Sequence, residues 1–400
     1  MDGFQTRTDV PAHVPQALVR DYDWVDMQGE TDPARHFAKL ESEPDIFWTP
    51  RYGGHWVTTR YNEMNYIYTH PEEFSSRHAT WPCSPFRVPL QEMDGDLHQQ
   101  FRLILAPFFT PKKIGHLEAV ARDLTIGLID SFYARGECEF VNEFGQRMPI
   151  AILMSLLDVP REDREYLLPL SDAITRFTSP EDKTAAAMAI AQYMKDKIIP
   201  ARRLNPGDDV FSAFMAARIN GEPIDDDTIA QLGMLLIAAG LDTVASMLGF
   251  ITWHLADHPE QRHYLRDNPD KITSALEEML RRFSLANMSR VVTRDMEFNG
   301  VQFKKGEVVL IPLTRAGLDP KQYDNPEEVE FGRNIKGSLT FGRGPHQCIG
   351  SFLARTELRV FLQEWLKRIP DFQVKPGHVV RAQVGSANAL IALPLVWTPQ

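Results

Sequence analysis

The sequence predicts a mainly α-helical chain with small β-sheets, organised as a single domain over residues 1–400. Helical apolar spacing dominates from about Leu97 to Leu285, while strand-like segments gather near both ends. No internal repeat, low-complexity tract or flexible linker divides the chain. A hydrophobic content of 43% with 24% charged residues suits a globular protein with a large core.

Taken in order, Ile46–Arg60 reads as two short strands around the turn Gly53-Gly54. The helical region that follows is broken at Asn205-Pro206-Gly207 and Asn220-Gly221. Its most unusual helix spans about Asp226–Ala256, whose middle, LGMLLIAAGLDTVASMLGFITW, is apolar on nearly every face. Such a pattern marks burial on all sides. The stretch is long enough to span a membrane, but Asp242 sits within it and no basic flank follows, so a central core helix is expected. Met296–Leu313 returns to strand character, with turns at Asn299-Gly300 and Lys305-Gly306, and Val379–Val396 also reads as strands.

Lys and Arg total 43 against 54 Asp and Glu, a net charge of −11. This balance disfavours nucleic-acid binding, which needs a basic face for phosphates. The three cysteines, Cys83, Cys138 and Cys348, lie far apart and form no CxxC pair, so neither a zinc knuckle nor a disulfide framework is expected. Their odd number fits a reducing cytoplasm. The opening MDGFQTRTDVPAHVPQ lacks an apolar signal core, so neither a secretion signal nor an N-terminal membrane anchor is expected.

The strongest chemical signal is Phe341-Gly342-Arg343-Gly344-Pro345-His346-Gln347-Cys348-Ile349-Gly350. It runs straight into a helix, Ile349–Ile369, in which Ile349, Phe352, Leu353, Leu362, Leu366 and Ile369 recur at helical spacing. Cys348 is thereby placed at a helix start, where free N–H groups and the helix dipole favour a thiolate over a thiol. Gly342, Gly344 and Gly350 remove side chains where a flat macrocycle must approach the backbone. An ordinary buried cysteine in a glycine-rich turn is the competing reading. Three glycines so placed arise by chance on the order of 1 in 3,000 per position, given an average Gly content of about 7%. No Gly-Lys-Ser/Thr follows, which excludes a phosphate-binding loop.

This segment matches the haem-binding signature of the cytochromes P-450, Phe-x-x-Gly-x-(basic)-x-Cys-x-Gly, at every fixed position, and the chain is identified as resembling that family. The resemblance implies haem b (iron protoporphyrin IX) with Cys348 as the iron's ligand, within the segment bearing Phe341, Gly342 and Gly350. It implies that His346 bonds a haem propionate. Ala239-Gly240-Leu241-Asp242-Thr243 resembles the family's oxygen-activation motif. There Gly240 would let the helix lie against the haem and bind dioxygen, the Thr243 hydroxyl would hydrogen-bond the oxygen, and Asp242 would feed protons inward through water. A helix kink with a back-bonded Thr is the competing reading there. Glu278 and Arg281 match the family's Glu-x-x-Arg and share one helix face. Their implied role is structural. His98 and Arg102 in HQQFR resemble a propionate-binding pair, and Arg290 aligns with a further propionate-binding arginine.

The resemblance covers nearly the whole chain and is strongest to the bacterial camphor-hydroxylase subfamily, in GGHW, EEFSS, AAGLDTV, EEMLRRFSL, QEWLKRIPDF and ALPLVW. It implies the family's helical prism, a monomer, and hydroxylation with O2 and two electrons from a [2Fe–2S] ferredoxin served by an NADH-dependent reductase. Arg102 and Arg355 are candidate docking cations. The subfamily's ketone-binding tyrosine is replaced by Phe86, and the loop Arg77–Pro85 is shorter, which also puts a cation site there in doubt. The expected substrate is therefore a compact terpenoid or norisoprenoid other than camphor. Its expected pocket is lined by Phe86, Leu235, Ala238, Ala286, Met288 and Ala387. The competing functions are an H2O2-dependent peroxygenase, which needs no Asp242-Thr243 relay, and a non-enzymatic haem sensor or carrier.

Overall fold

The computed structural model describes residues 9–82, 88–175 and 179–399. Helices dominate it, and the longest, Asp226–Asp257, runs through the interior. Asp225 caps it by accepting from the Thr228 N–H at 2.7 Å, and two more acids in its first turn complement the helix dipole. By length and composition this helix could cross a membrane, yet 76% of its most apolar window is buried inside the fold. The surrounding helices therefore do the burying that the all-round apolar sequence calls for.

The helix after the cysteine segment, Ser351–Arg368, packs against Pro111–Tyr133 and the long central helix. Aromatic rings fill that junction: Phe140, Phe144, Phe361 and Trp365 have ring centroids 5.1–5.6 Å apart. Edge-to-face and tilted pairs of this kind add to the stabilisation that burial alone provides.

The principal sheet has five strands, in the order Ile46–Thr49, His55–Thr58, Val308–Pro312, Asn287–Val292 and Phe74–Ser75. The first hairpin turns at Gly53 and Gly54, whose φ values of 82° and 91° only glycine adopts readily. Asn299-Gly300 and Asn220-Gly221 each close a two-residue hairpin with positive φ at both positions. The strand Asn287–Val292 pairs antiparallel with Val308–Pro312 and was not expected from the sequence. Arg381–Gln383, Ala389–Ala392 and Pro394–Val396 supply the strands expected near the C-terminal end.

Candidate active site

The cysteine segment is a tight loop between the irregular stretch that follows the short helix Leu313–Gly317 and the helix Ser351–Arg368. Its ends are tied by Cys348 N–H donating to the Phe341 carbonyl at 2.9 Å, with Gly342 N–H donating to Leu339 at 2.7 Å. Gly342 and Gly344 have φ of 66° and 70°, and a Cβ on Gly344 would lie 2.4 Å from the Tyr68 carbonyl oxygen. Backbone conformation and this contact thus require both glycines before any macrocycle is considered. A Cβ on Gly350 would meet only the Cys348 sulfur, at 3.9 Å, an ordinary contact. The space beside Gly350 is otherwise open among the described residues.

Cys348 has exposed surface, yet protein encloses it closely enough that desolvation pushes its thiol pKa up. An open face looking inward rather than to bulk water reconciles the two. The N–H groups of Gly350 and Ser351 and the charges of Arg102 and Arg355 act against burial but do not overcome it. The helix-start argument is therefore right in direction and insufficient in size. A metal cation at the sulfur would supply the missing stabilisation of the thiolate.

Beside the loop lies a cluster of basic groups. His98 and His346 have ring centroids 3.9 Å apart. Burial, then the neighbouring His346 and Arg102, lower His98 to about 4. His346 is also lowered by burial, opposed by Asp94, whose carboxylate lies 3.7 Å from its Nε2. Arg290 is 4% exposed; its guanidinium donates to the Ser289 carbonyl at 2.7 Å and lies over the Tyr68 ring at 4.9 Å. Arg102 donates to the Gln347 carbonyl at 2.7 Å, one residue from Cys348. Among the described residues, Asp94 is the only carboxylate ion-paired with any of these four. Two permanent guanidinium charges against one carboxylate leave positive charge in excess, and desolvation depresses both arginines. Burying such cations is costly unless anions join them.

The Tyr68 hydroxyl is buried and has no hydrogen-bond partner among the described residues. Nothing in its sequence context singled it out, yet it lies beside Arg290 and Gly344. An orphaned donor, excess buried cations and an inward-facing cysteine fit a flat, dianionic porphyrin. Arg102, Arg290, His98, His346 and Tyr68 can meet its carboxylates, and Cys348 its iron.

The central helix presents one open stripe. Leu235, Ala239 and Thr243, spaced four apart, are partly or fully exposed, as is the backbone of Gly240, while the described residues between them are buried. Ala238 is only 5% exposed, so the open small residue is Ala239, one position and about 100° further round the helix. The Thr243 hydroxyl donates to the Ala239 carbonyl at 2.8 Å, the back-bond that the competing reading described. That bond occupies its proton and leaves its oxygen free to accept. Asp242 is 1% exposed. A Cβ on Gly240 would strike Leu153 at 2.8 Å, so its missing side chain allows packing against the helix Arg147–Leu157.

Ala286 and Met288 are partly open, whereas Ala387 is 5% exposed and closed off by its bridge to Ala286. Ala238 and Ala387 thus offer little open surface compared with Leu235, Ala286 and Met288. Phe86 lies outside the described residues. Glu278 and Arg281 form a buried pair, with Arg281 Nε and Nη2 donating to the two carboxylate oxygens at 2.7 and 2.8 Å. Arg333 Nε and the Glu330 N–H add 2.9 and 3.0 Å bonds to Glu278. Arg355, expected as a docking cation, grips Glu277 through two bonds of 2.6 and 3.0 Å, lies over Phe341 at 4.5 Å, and keeps 37% of its side chain exposed. Arg102 is likewise engaged with the loop.

A helical body with a cysteine loop facing a basic, enclosed cleft defines the haem-thiolate class of proteins. Comparison with known proteins narrows this. The family model for cytochrome P450 matches residues 154–383. A probable cytochrome P450 127A1 of Sinorhizobium fredii is 31% identical, over 97% of each chain. The steroid C26-monooxygenase of Mycobacterium tuberculosis is 32% identical, covering 82% of this chain and 91% of its own. The crystal structure of CYP101J2 superposes with a TM-score of 0.90 at 32% identity, covering 98% of this chain and all of that one. CYP101C1 gives 0.87 at 34%, with the same coverage. The chain belongs to the cytochrome P450 family, and its cofactor is haem b.

Proposed function

We propose that this monooxygenase hydroxylates a compact hydrophobic terpenoid or norisoprenoid, using O2 and two electrons from a [2Fe–2S] ferredoxin kept reduced by an NADH-dependent reductase. The carrying observation is the stripe Leu235–Ala239–Thr243, which sets one acceptor hydroxyl on an otherwise apolar open face. Haem with a thiolate ligand supplies activation of dioxygen, because electron donation from sulfur favours O–O cleavage.

The remaining work falls to the chain. Cys348 supplies the thiolate. Arg102, Arg290, His98 and His346, with Tyr68, hold the propionates. Thr243, with its proton committed to Ala239, accepts a hydrogen bond from the water or hydroxyl that carries a proton into the cleft. Asp242, next to it, is the residue from which that proton is passed on. Leu235, Ala239, Ala286 and Met288 contribute apolar surface with no fixed donor among them, so shape and water exclusion orient the substrate. Phe86, unable to donate, leaves a ketone oxygen without the subfamily's orienting bond.

The experiment is a screen of terpenoids and norisoprenoids against purified haem-loaded protein. The expected result is a haem spin-state change with some of them, followed by NADH-dependent hydroxylation with ferredoxin and reductase. Spin-state changes confined to large steroids, with no terpenoid turned over, would overturn the substrate class.

A further inference from the structure

The start of the strand Asn287–Val292 and the residue before it alternate in environment over 286–289, after which the strand is buried throughout. Ala286 and Met288 are partly open, while Asn287 and Ser289 are fully buried. Along such a strand a buried polar pair inverts the usual arrangement, and its bonds explain why.

Asn287 Nδ2 donates to the Gly385 carbonyl and to Asn388 Oδ1, both at 2.8 Å. Asn388 Nδ2 donates to Thr314 Oγ1 at 2.9 Å, and the Thr314 hydroxyl donates to the Ser284 carbonyl at 2.6 Å. Backbone bonds from Asn287 to Ser386, 2.9 Å, and from Asn388 to Leu285, 3.0 Å, complete the junction around the bridge Ala286–Ala387. On the same face Ser289 donates from its side chain to His78 at 2.6 Å and from its backbone to Ala79 at 2.9 Å.

We infer that Asn287 and Asn388 are positioning residues for substrate specificity: their buried amide pair locks how the segment 385–388 docks on the strand whose open residues, Ala286 and Met288, wall the cleft. The inference rests on the monooxygenase reading and deepens it. The five-pair ladder with Val308–Pro312 already sets the strand's own register, whereas one bridge alone, Ala286–Ala387, docks the segment 385–388 on it, and a slip there by one residue would move Ala387 off Ala286. The amide pair can be satisfied in one register alone, since both donors of Asn287 are used there. Asn287 Oδ1 is buried without a partner among the described residues, a cost that apolar side chains would avoid. Stability alone does not account for keeping an amide at this position. Registry does.

The test uses the haem-loaded enzyme with two haem ligands, imidazole and 4-phenylimidazole, and with β-ionone as substrate. Imidazole senses the iron; its phenyl derivative also senses the wall. For Asn388→Ala the affinity for 4-phenylimidazole is expected to change about fivefold to tenfold, against less than about twofold for imidazole. The ratio of β-ionone hydroxylation positions is expected to change with it. Thr314→Val breaks the same chain one link further from the wall and should shift both readouts in the same sense, which keeps the test available if Asn388→Ala fails to fold. A lowered Tm with both ratios unchanged would overturn the inference and leave a merely structural pair. If β-ionone is not oxidised even by the parent enzyme, the substrate class is judged by the wider terpenoid screen, while the ligand ratio still decides the role of the pair.

Discussion

Replacing Arg281 by Ala tests whether the Glu278–Arg281 pair is a working part of the core. The guanidinium is 0% exposed and donates to both oxygens of Glu278 and to the carbonyls of Gly317, Pro326 and Glu328. Its removal unties the helix Ile272–Arg282 from the segment that leads to the cysteine loop, and leaves Glu278 buried. Breaking a buried pair costs about 3–5 kcal/mol, whereas an exposed pair is worth about 0–1 kcal/mol. Arg333 and the Glu330 N–H still serve Glu278, so the lower end, about 3 kcal/mol, is expected. Against a total stability of about 5–15 kcal/mol, this is a large fraction. Arg281→Lys keeps the charge but loses the planar fork, and should fall between parent and Ala. The assay is urea unfolding followed by tryptophan fluorescence, with the haem-to-protein ratio measured on the same samples. A loss below about 1 kcal/mol with full haem retention would refute the reasoning.

Three further outcomes are expected. Thr243→Ala removes the acceptor on the open stripe; NADH consumption should continue while the product-forming rate falls on the order of 10²-fold and peroxide accumulates, as peroxide and product assays would show. Normal coupling would remove Thr243 from the mechanism. Burial alone would raise the Asp94 carboxyl, but bonds from His346, Ser75 and the Ser76 N–H outweigh it and hold it at about 2, below the usual 3.8. A depressed pKa gives stability that is present above pH 3.8 and lost as pH falls through 2. With 31% of its side chain exposed, Asp94 contributes no more than about 2 kcal/mol. Asp94→Asn should therefore flatten acid unfolding of the haem-free protein between about pH 4 and 2, and an unchanged profile would contradict the assignment. Phe86→Tyr should tighten the binding of small cyclic ketones, read as a spin-state titration, and an unchanged affinity would show that residue 86 does not face the substrate.

Much of the site was legible because its chemistry is contiguous. Phe341 to Gly350 carries its cysteine, glycines and basic residue within one short loop, and the glycine hairpins at 53-54 and 299-300 are equally local. What escaped depends on partners distant in sequence. The strand Asn287–Val292 hides its polar residues and opens an apolar one, because Asn287 and Ser289 are satisfied from residues 385–388 and 78. Tyr68 meets Arg290, more than two hundred positions away. The close approach of Leu153 to Gly240 likewise joins residues almost ninety positions apart. Ala238 and Ala239 differ by one position, and periodicity cannot say which faces a cleft in a helix that is apolar all round.

The account turns on sulfur from Cys348 reaching iron, and the carbon monoxide complex of the reduced, haem-loaded protein reads this directly. The parent protein should show the absorption band of a thiolate-ligated ferrous carbonyl, and Cys348→His should move it to that of an imidazole-ligated one. An imidazole-type band in the parent, or a band indifferent to the replacement, would contradict it.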